Sequence, residues 1–403
     1  MSLNLWTGPP GAEAGRAAPR PCPAPALPLP VYLSVRAIQR AGAGYILPAL
    51  LLLARFAVRA AQRAGIGYIL PALLLLTCPS STEAASPPPP ALCPSGTVTL
   101  LLPDRENTLV YRLYGLLAEA FREELFLGLK AEVRLGRGGG YVLNRLLEEK
   151  DDGCFLGVLQ FPSFIFLSSL RDRLYDDAEI EPAVVLAAVP NALWVAESGP
   201  LRSLDDFILK AREEAGKSGG RIVTAGVGRY TDQNMASRKL ERAAGIGTAY
   251  LPLLGAAECA EAVLAGKAAA CWGYAVPAEM MPGLRPLAVA SGQRSPLWPD
   301  VPTFQERGCL MSDYAWFGLG IRASAPESIR ARCLESLSRV MRNKKLLAGM
   351  AALGFMPPAA APGSDAARLL PGRLREEALR LLSDYPLIPR QERLPGQPGP
   401  AAP

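Results

Sequence analysis

The chain has 403 residues, half of them apolar and a fifth charged, enough for two domains with cores of their own. It contains no histidine, which excludes Ser-His-Asp and Cys-His catalysis, His-ligated metals and a His general base, while Lys, Tyr or carboxylate chemistry stays open. The net charge of +6 belongs to the N-terminal leader: seven of the 43 basic and one of the 37 acidic residues lie up to Cys78, which leaves 36 of each beyond it. A neutral body offers no electrostatic footprint for nucleic acid.

Residues 1–34 are rich in Pro, Ala and Gly without periodicity and read as disordered, or as sequence upstream of the true translation start. Residues 35–78 then hold one segment twice. Gln39-Arg-Ala-Gly-Ala-Gly-Tyr-Ile-Leu-Pro-Ala-Leu-Leu-Leu-Leu53 returns as Gln62-Arg-Ala-Gly-Ile-Gly-Tyr-Ile-Leu-Pro-Ala-Leu-Leu-Leu-Leu76. Each copy is a basic flank followed by an uncharged core shorter than the about 20 apolar residues of a spanning helix. The pattern fits a duplicated secretory signal, with a two-helix membrane hairpin as the competing reading. Leu75-Leu-Thr-Cys78 resembles a lipoprotein cleavage box, which makes Cys78 a candidate lipidation site, and ordinary cleavage near 82–85 is the alternative. The stretch 79–96 is a stiff Pro-rich linker. Export to the periplasm or beyond is the expectation.

From residue 97 strands and helices alternate. Strands are predicted at 97–102, 131–135, 155–159, 183–189, 192–196, 222–224, 248–251, 268–274, 285–290 and 314–321. Helices are predicted at 109–127, 141–149, 203–214, 232–244, 256–265, 326–342, 345–353 and 365–382. The alternation predicts α/β architecture with parallel sheets covered by helices. Two series of this kind imply two lobes, 97–190 with 315–385 and 191–314, joined by crossings near 188–194 and 314–318. Strand C-terminal ends would then face a common cleft. The Pro- and Gly-rich tail 386–403 reads as disordered.

Arg221-Ile-Val-Thr-Ala-Gly-Val-Gly-Arg-Tyr-Thr-Asp-Gln-Asn234 runs a β-branched strand through glycines into a helix whose N-cap is Thr231 or Asp232. Backbone N–H groups at such a helix N-terminus can bind an anion, a carboxylate included. Other signals are weaker. Gly216-Lys-Ser218 lacks the earlier glycine of a phosphate loop, and the cluster at Gly136 and 138–140 fails the dinucleotide pattern. The doublets Asp151-Asp152, Asp176-Asp177 and Asp205-Asp206 read as solvated turns or helix starts. Trp194, Trp272, Trp298 and Trp316 read as core, although Trp272 ends a strand that should reach the cleft. The eight cysteines show no metal-ligand spacing; Cys154 and Cys271 lie in apolar runs as buried thiols, and export would permit a disulfide without assigning it. No metal or cofactor is expected.

Several motifs in order resemble one family. Leu287-Ala-Val-Ala-Ser-Gly-Gln-Arg-Ser-Pro-Leu-Trp-Pro-Asp-Val-Pro-Thr-Phe304 is similar to the segment LAVTSAKRSPALPDVPTF of the substrate-binding receptors of tripartite tricarboxylate transporters, the Bug-type periplasmic receptors. Val189-Pro-Asn-Ala-Leu-Trp-Val195, Thr224-Ala-Gly-Val-Gly228, Trp316-Phe-Gly-Leu319 and Ala351-Ala-Leu-Gly354 resemble further family motifs, and the likeness runs from about 97 to 385. It implies a two-lobed, type II-like periplasmic-binding-protein fold without catalysis, which captures a small organic acid and passes it to membrane permease subunits. It further implies a ligand carboxylate held by backbone amides and water in two loops, one from each lobe.

The chain departs from that pattern at both loops. The first, Pro103-Asp-Arg-Glu-Asn-Thr-Leu109, has none of the family's glycines, and in the second Arg229 replaces a small residue while the usual histidine is absent. Arg105 and Arg229 could clamp a carboxylate from opposite lobes, or point to solvent. The expected site is Asn107 and Thr108 against Gly228, Arg229, Tyr230 and Thr231, with Gly139, Gly140, Ser163 and Gly255 as further candidates. The expected function is that of a monomeric, exported receptor for a carboxylate-bearing molecule. The rivals are a sensory or scaffolding relative and, behind it, an α/β enzyme using the same cleft.

Overall fold

A computed structural model describes residues 92–389 except 218, 219, 359 and 386. The duplicated segment, Cys78 and the end of the tail lie outside the described residues. Nine strands follow in chain order: β1 (Thr97–Leu102), β2 (Gly128–Val133), β3 (Phe155–Phe161), β4 (Ile180–Ala196), β5 (Ile222–Val227), β6 (Thr248–Leu253), β7 (Ala270–Tyr274), β8 (Leu284–Val289) and β9 (Tyr314–Arg322). The α-helices are α1 (Leu109–Leu125), α2 (Gly140–Leu147), α3 (Ser163–Ser168), α4 (Leu204–Ala215), α5 (Asp232–Ala244), α6 (Ala256–Leu264), α7 (Glu327–Val340), α8 (Lys344–Ala352) and α9 (Asp365–Asp384).

The sheet is mixed, where alternation alone predicts parallel pairing. Parallel triplets β2-β1-β3 and β7-β5-β6 sit in different halves of the body. Antiparallel pairing joins them: β9 lies between β3 and the first part of β4, and the last part of β4 pairs with β7 and β8. The two apolar runs predicted either side of Pro190-Asn191 are therefore one 17-residue strand. Pro190 does not break it, because a proline at the point where a strand changes partners forfeits no needed ladder donor. Asn191 N–H instead donates to the Asp313 carbonyl (3.0 Å), which ties the two crossings side by side.

Helix α1 shows how the layers form. Thr108 accepts from Tyr111 N as its N-cap, and Leu109, Val110, Leu113, Leu117, Ala120 and Phe121 make one buried stripe. That stripe packs on β1 and β2 and against α7 and α8. Each fully buried leucine contributes about 1.5–3 kcal/mol, so Leu117→Ala would open a damaging cavity. The helix ends where Phe126 turns left-handed.

Core packing passes through the crossings: Val189, Ala192 and Trp194 of β4 share one cluster with Ala315 and Phe317 of β9. Packing also extends past the expected ends of the body. Leu92 and Cys93 are buried in the segment read as linker, and Leu387 and Ile388 in the segment read as tail. Cys154 is not the free thiol expected of an apolar run; it forms a disulfide with Cys93. The cause is tertiary, since Cys93 precedes β1 and Cys154 precedes β3, and these strands are neighbours. Cys271 is free and buried.

Candidate ligand-binding cleft

A cavity of about 1090 Å³ opens where the C-terminal ends of β1, β2 and β3 face those of β5, β6 and β7. It is lined by the β1–α1 loop, the glycine-rich β2–α2 loop and Ser163 on one side. The β5–α5 loop, α6 and the segment after β7 line the other.

Of the predicted residues, Asn107, Thr108, Gly139, Ser163, Gly228, Arg229, Tyr230 and Thr231 all line this cavity. Gly140 and Gly255 do not. Gly140 begins α2 beside Leu174, and Gly255 precedes α6, where a Cβ would meet the Glu258 carboxylate at 2.9 Å. Arg105 also lies off the lining: it is 61% exposed and pairs with Glu258 at 3.5 Å, so the symmetric clamp by Arg105 and Arg229 does not form. Trp272 points away from the cleft and stacks on Phe304, leaving the end of β7 to present Gly273 and Tyr274.

The β5–α5 loop has the expected strand–turn–helix form, but its amides are partly spent. Val227 N donates to Gln233 Oε1 (2.7 Å) and Gly228 N to the Leu253 carbonyl (2.8 Å). The Thr231 hydroxyl donates to the Val227 carbonyl (2.7 Å) and accepts from Asn234 N as N-cap. Asp232, 3% exposed, fills the first turn of α5 with the helix's own carboxylate. The glycines therefore serve close approach more than donation. Gly228 has φ 67°, and a Cβ there would meet Thr231 Cγ2 at 3.2 Å and Gly138 Cα, across the cleft, at 3.5 Å. A Cβ on Gly226 would collide with the Tyr250 hydroxyl. What the loop turns toward the cavity as a cation is Arg229, which is exposed and has no ion pair among the described residues.

The glycine-free first loop keeps a left-handed turn by using Asn107, at φ 66°, a residue type that tolerates that region. Thr108 is occupied as the cap of α1, donating also to the Arg105 carbonyl (2.8 Å). Ser163 is occupied as well: its hydroxyl donates to Asp232 Oδ1 (3.0 Å) and accepts from Asp232 N (3.0 Å). That link continues from Asp232 Oδ2 to Asn191 Nδ2 (3.3 Å), from the same Nδ2 to Asp313 Oδ2 (2.8 Å), and from Asp313 Oδ1 to Lys239 Nζ (2.5 Å). Burial, reinforced by the Asp313 charge, pushes Asp232 up to about 6, and burial also raises Asp313. Asp104, half-buried in the first loop, is likewise held up at about 6 by burial, with Glu258 adding to it.

Sequence reasoning missed Asp104, Arg137, Gln160, Asp232, Glu258 and Tyr274 as lining residues. Asp104 and Asp232 sit beside predicted residues and could have been read from the two loops. Glu258 and Tyr274 carry no local signal, because only the packing of α6 and β7 turns them inward. The carboxylate doublets are structural. Asp176 and Asp206 take part in capping boxes, and Asp151 pairs with Arg322 at 3.1 Å. Among the described residues no group of three or more Cys, Asp or Glu is placed to hold a metal ion.

A cleft at the strand C-termini of two lobes, with paired strands crossing between them, defines a two-lobed α/β protein of the periplasmic-binding-protein type. The chain belongs to the tripartite tricarboxylate transporter receptor family, whose profile matches residues 138–377. It is 22% identical over 278 residues to a UPF0065 protein from the tcbD–tcbE intergenic region of Pseudomonas sp. (strain P51), an alignment covering 67% of this chain and 81% of that one. Among solved structures it is similar to MatC (Rpa3494) from Rhodopseudomonas palustris with bound malate, with 23% identity, a TM-score of 0.61 and coverage of 71% and 97%. It also resembles the periplasmic binding protein BugD, with 19% identity, a TM-score of 0.64 and coverage of 72% and 98%. A third similar structure is R. palustris Rpa4515 with adipate, with 21% identity, a TM-score of 0.61 and coverage of 71% and 96%.

Proposed function

We propose that this protein is an extracytoplasmic receptor that captures a small carboxylate-bearing molecule in the cleft, without catalysis, and delivers it to the permease subunits of a tripartite tricarboxylate-type transporter. The observation that carries the reading is Arg229, a cation without an ion pair among the described residues, on the lining of a large cavity between two lobes. Family membership and the acids bound by MatC and Rpa4515 support it. In this reading residues 97–190 with 315–385 form the first lobe and 191–314 the second. The ligand contacts Asn107 on the first and the 228–231 segment on the second. A disulfide suits an oxidising compartment. Attachment runs, in this reading, through a signal segment or a lipid on Cys78, in keeping with the duplicated leader and its Leu75-Leu-Thr-Cys78 box.

A thermal-shift screen against organic acids, amino acids and neutral compounds tests the function, because a ligand that binds only the folded state raises the melting temperature by mass action. Carboxylates are expected to give the shifts. Removing a charged hydrogen bond costs about 1.5–3 kcal/mol, so Arg229→Ala should weaken the best acid about ten- to hundredfold. Shifts by neutral compounds alone, or unchanged acid affinity in the Arg229 variant, would refute this assignment.

A further inference from the structure

We infer that the ligand is a zwitterion, whose carboxylate meets Arg229 and whose protonated amine lies between Asp104 on one lobe and Glu258 on the other. The inference rests on the receptor reading above and narrows its substrate class. The cavity's charges are one-sided: seven carboxylates and three guanidinium groups line it. Two of those guanidiniums already face a carboxylate in solvent-exposed pairs, Arg112 with Glu279 at 3.6 Å and Arg137 with Asp172 at 2.8 Å. Arg229 is left as the cation for a ligand anion, and a dianion would have to place its second charge among carboxylates.

Asp104 makes that placement unfavourable at a particular spot. It stands in the glycine-free first loop, and it accepts from Arg105 N at 2.9 Å. Glu258, in the first turn of α6, lines the same cavity, and its carboxylate lies 3.5 Å from the guanidinium of Arg105, the residue next to Asp104. Two carboxylates brought to one cavity from different elements repel as the space between them narrows. The cation between the two elements is Arg105, which is mostly in solvent and reaches Glu258 only at 3.5 Å; such an exposed pair contributes little. A ligand ammonium at this point offers hydrogen bonds to both carboxylates and removes the repulsion, so it binds and closes the cleft in one step. The first loop thus asks for a donor where a carboxylate-binding loop would offer one.

Titration calorimetry on the purified protein at pH 7.5 tests this with matched probes. These are γ-aminobutyrate, δ-aminovalerate and ε-aminocaproate, together with the α-amino isomers of the same chain lengths, against succinate, glutarate and adipate. The best amino acid should bind at least about tenfold more tightly than the dicarboxylate of equal length, the equivalent of about 1.4 kcal/mol. Asp104→Asn should cut that ratio at least about tenfold, weakening the amino acid and strengthening the dicarboxylate, and Glu258→Gln should act in the same direction. Dicarboxylates that bind as tightly as the amino acids, or a ratio unmoved in both variants, overturn the zwitterion and leave the acid receptor standing. If no carboxylate of either series binds a protein whose circular dichroism is native, both readings fall together.

Discussion

Asp232 is a carboxylate with two duties, closing the first turn of α5 and accepting from Ser163 on the opposite lobe. The groups that face it are the Ser163 hydroxyl, the Asn191 amide, the Asp313 carboxylate with its Lys239 partner, and Tyr274. None is a cation in direct contact, so burial dominates and lifts its pKa from 3.8 to about 6. A carboxyl raised in this way holds its proton more tightly when folded. Its contribution to stability is complete below pH 3.8 and is lost as the pH climbs through about 6. Lowering the pH from 7.5 to 5 should therefore stabilise the wild type relative to Asp232→Asn by about 1.4 kcal/mol, the equivalent of the one pH unit crossed below about 6. Urea melts of both proteins across that range would show it. Parallel curves would mean that Asp232 is already neutral, or already compensated, at pH 7.5. The neighbourhood of Asp232 could be named from sequence, but its burial and its two lobe-spanning hydrogen bonds could not.

The β5–α5 loop was legible as an element because strand, glycines and N-cap are all local signals. Its chemistry was less so. The amides of Val227 and Gly228 are consumed by Gln233 and by the carbonyl of Leu253 on a neighbouring strand, and Leu253 is reached only through sheet pairing. Cys93–Cys154 gives the same lesson, for it staples the entry to β1 onto the entry to β3 across 61 residues. Closing a loop of that length constrains the unfolded chain by about 4 kcal/mol in the chain-entropy account. Cys93→Ser combined with Cys154→Ser should lower the denaturation free energy by about 2–4 kcal/mol. The secondary structure seen by far-ultraviolet circular dichroism should stay native. A loss below about 1 kcal/mol would show that the unfolded chain is already restricted there.

On the scale of the molecule, several contacts bridge the two sides of the cleft. Ser163 bonds to Asp232, Gly138 lies against Gly228 and Thr231, and Arg112 pairs with Glu279. The first is buried and the ion pair exposed, so Ser163 should matter most. Ser163→Ala is expected to enlarge the radius of gyration of the ligand-free protein in small-angle scattering, and saturating ligand should restore it. An unchanged profile would place the closing energy in the loop packing instead. The sequence by itself determined the α/β class, the two lobes, nearly every helix and strand, and the loop carrying Arg229, since periodicity, caps and glycines act within a few residues. Only the tertiary structure decided that β4 runs unbroken through Pro190, that Cys93 meets Cys154, and that Arg105 leaves the cleft for Glu258. It alone brought Asp104 and Glu258 to the lining of one cavity. Those outcomes depend on which distant elements pack together, and burial and charge at a site are properties of that packing.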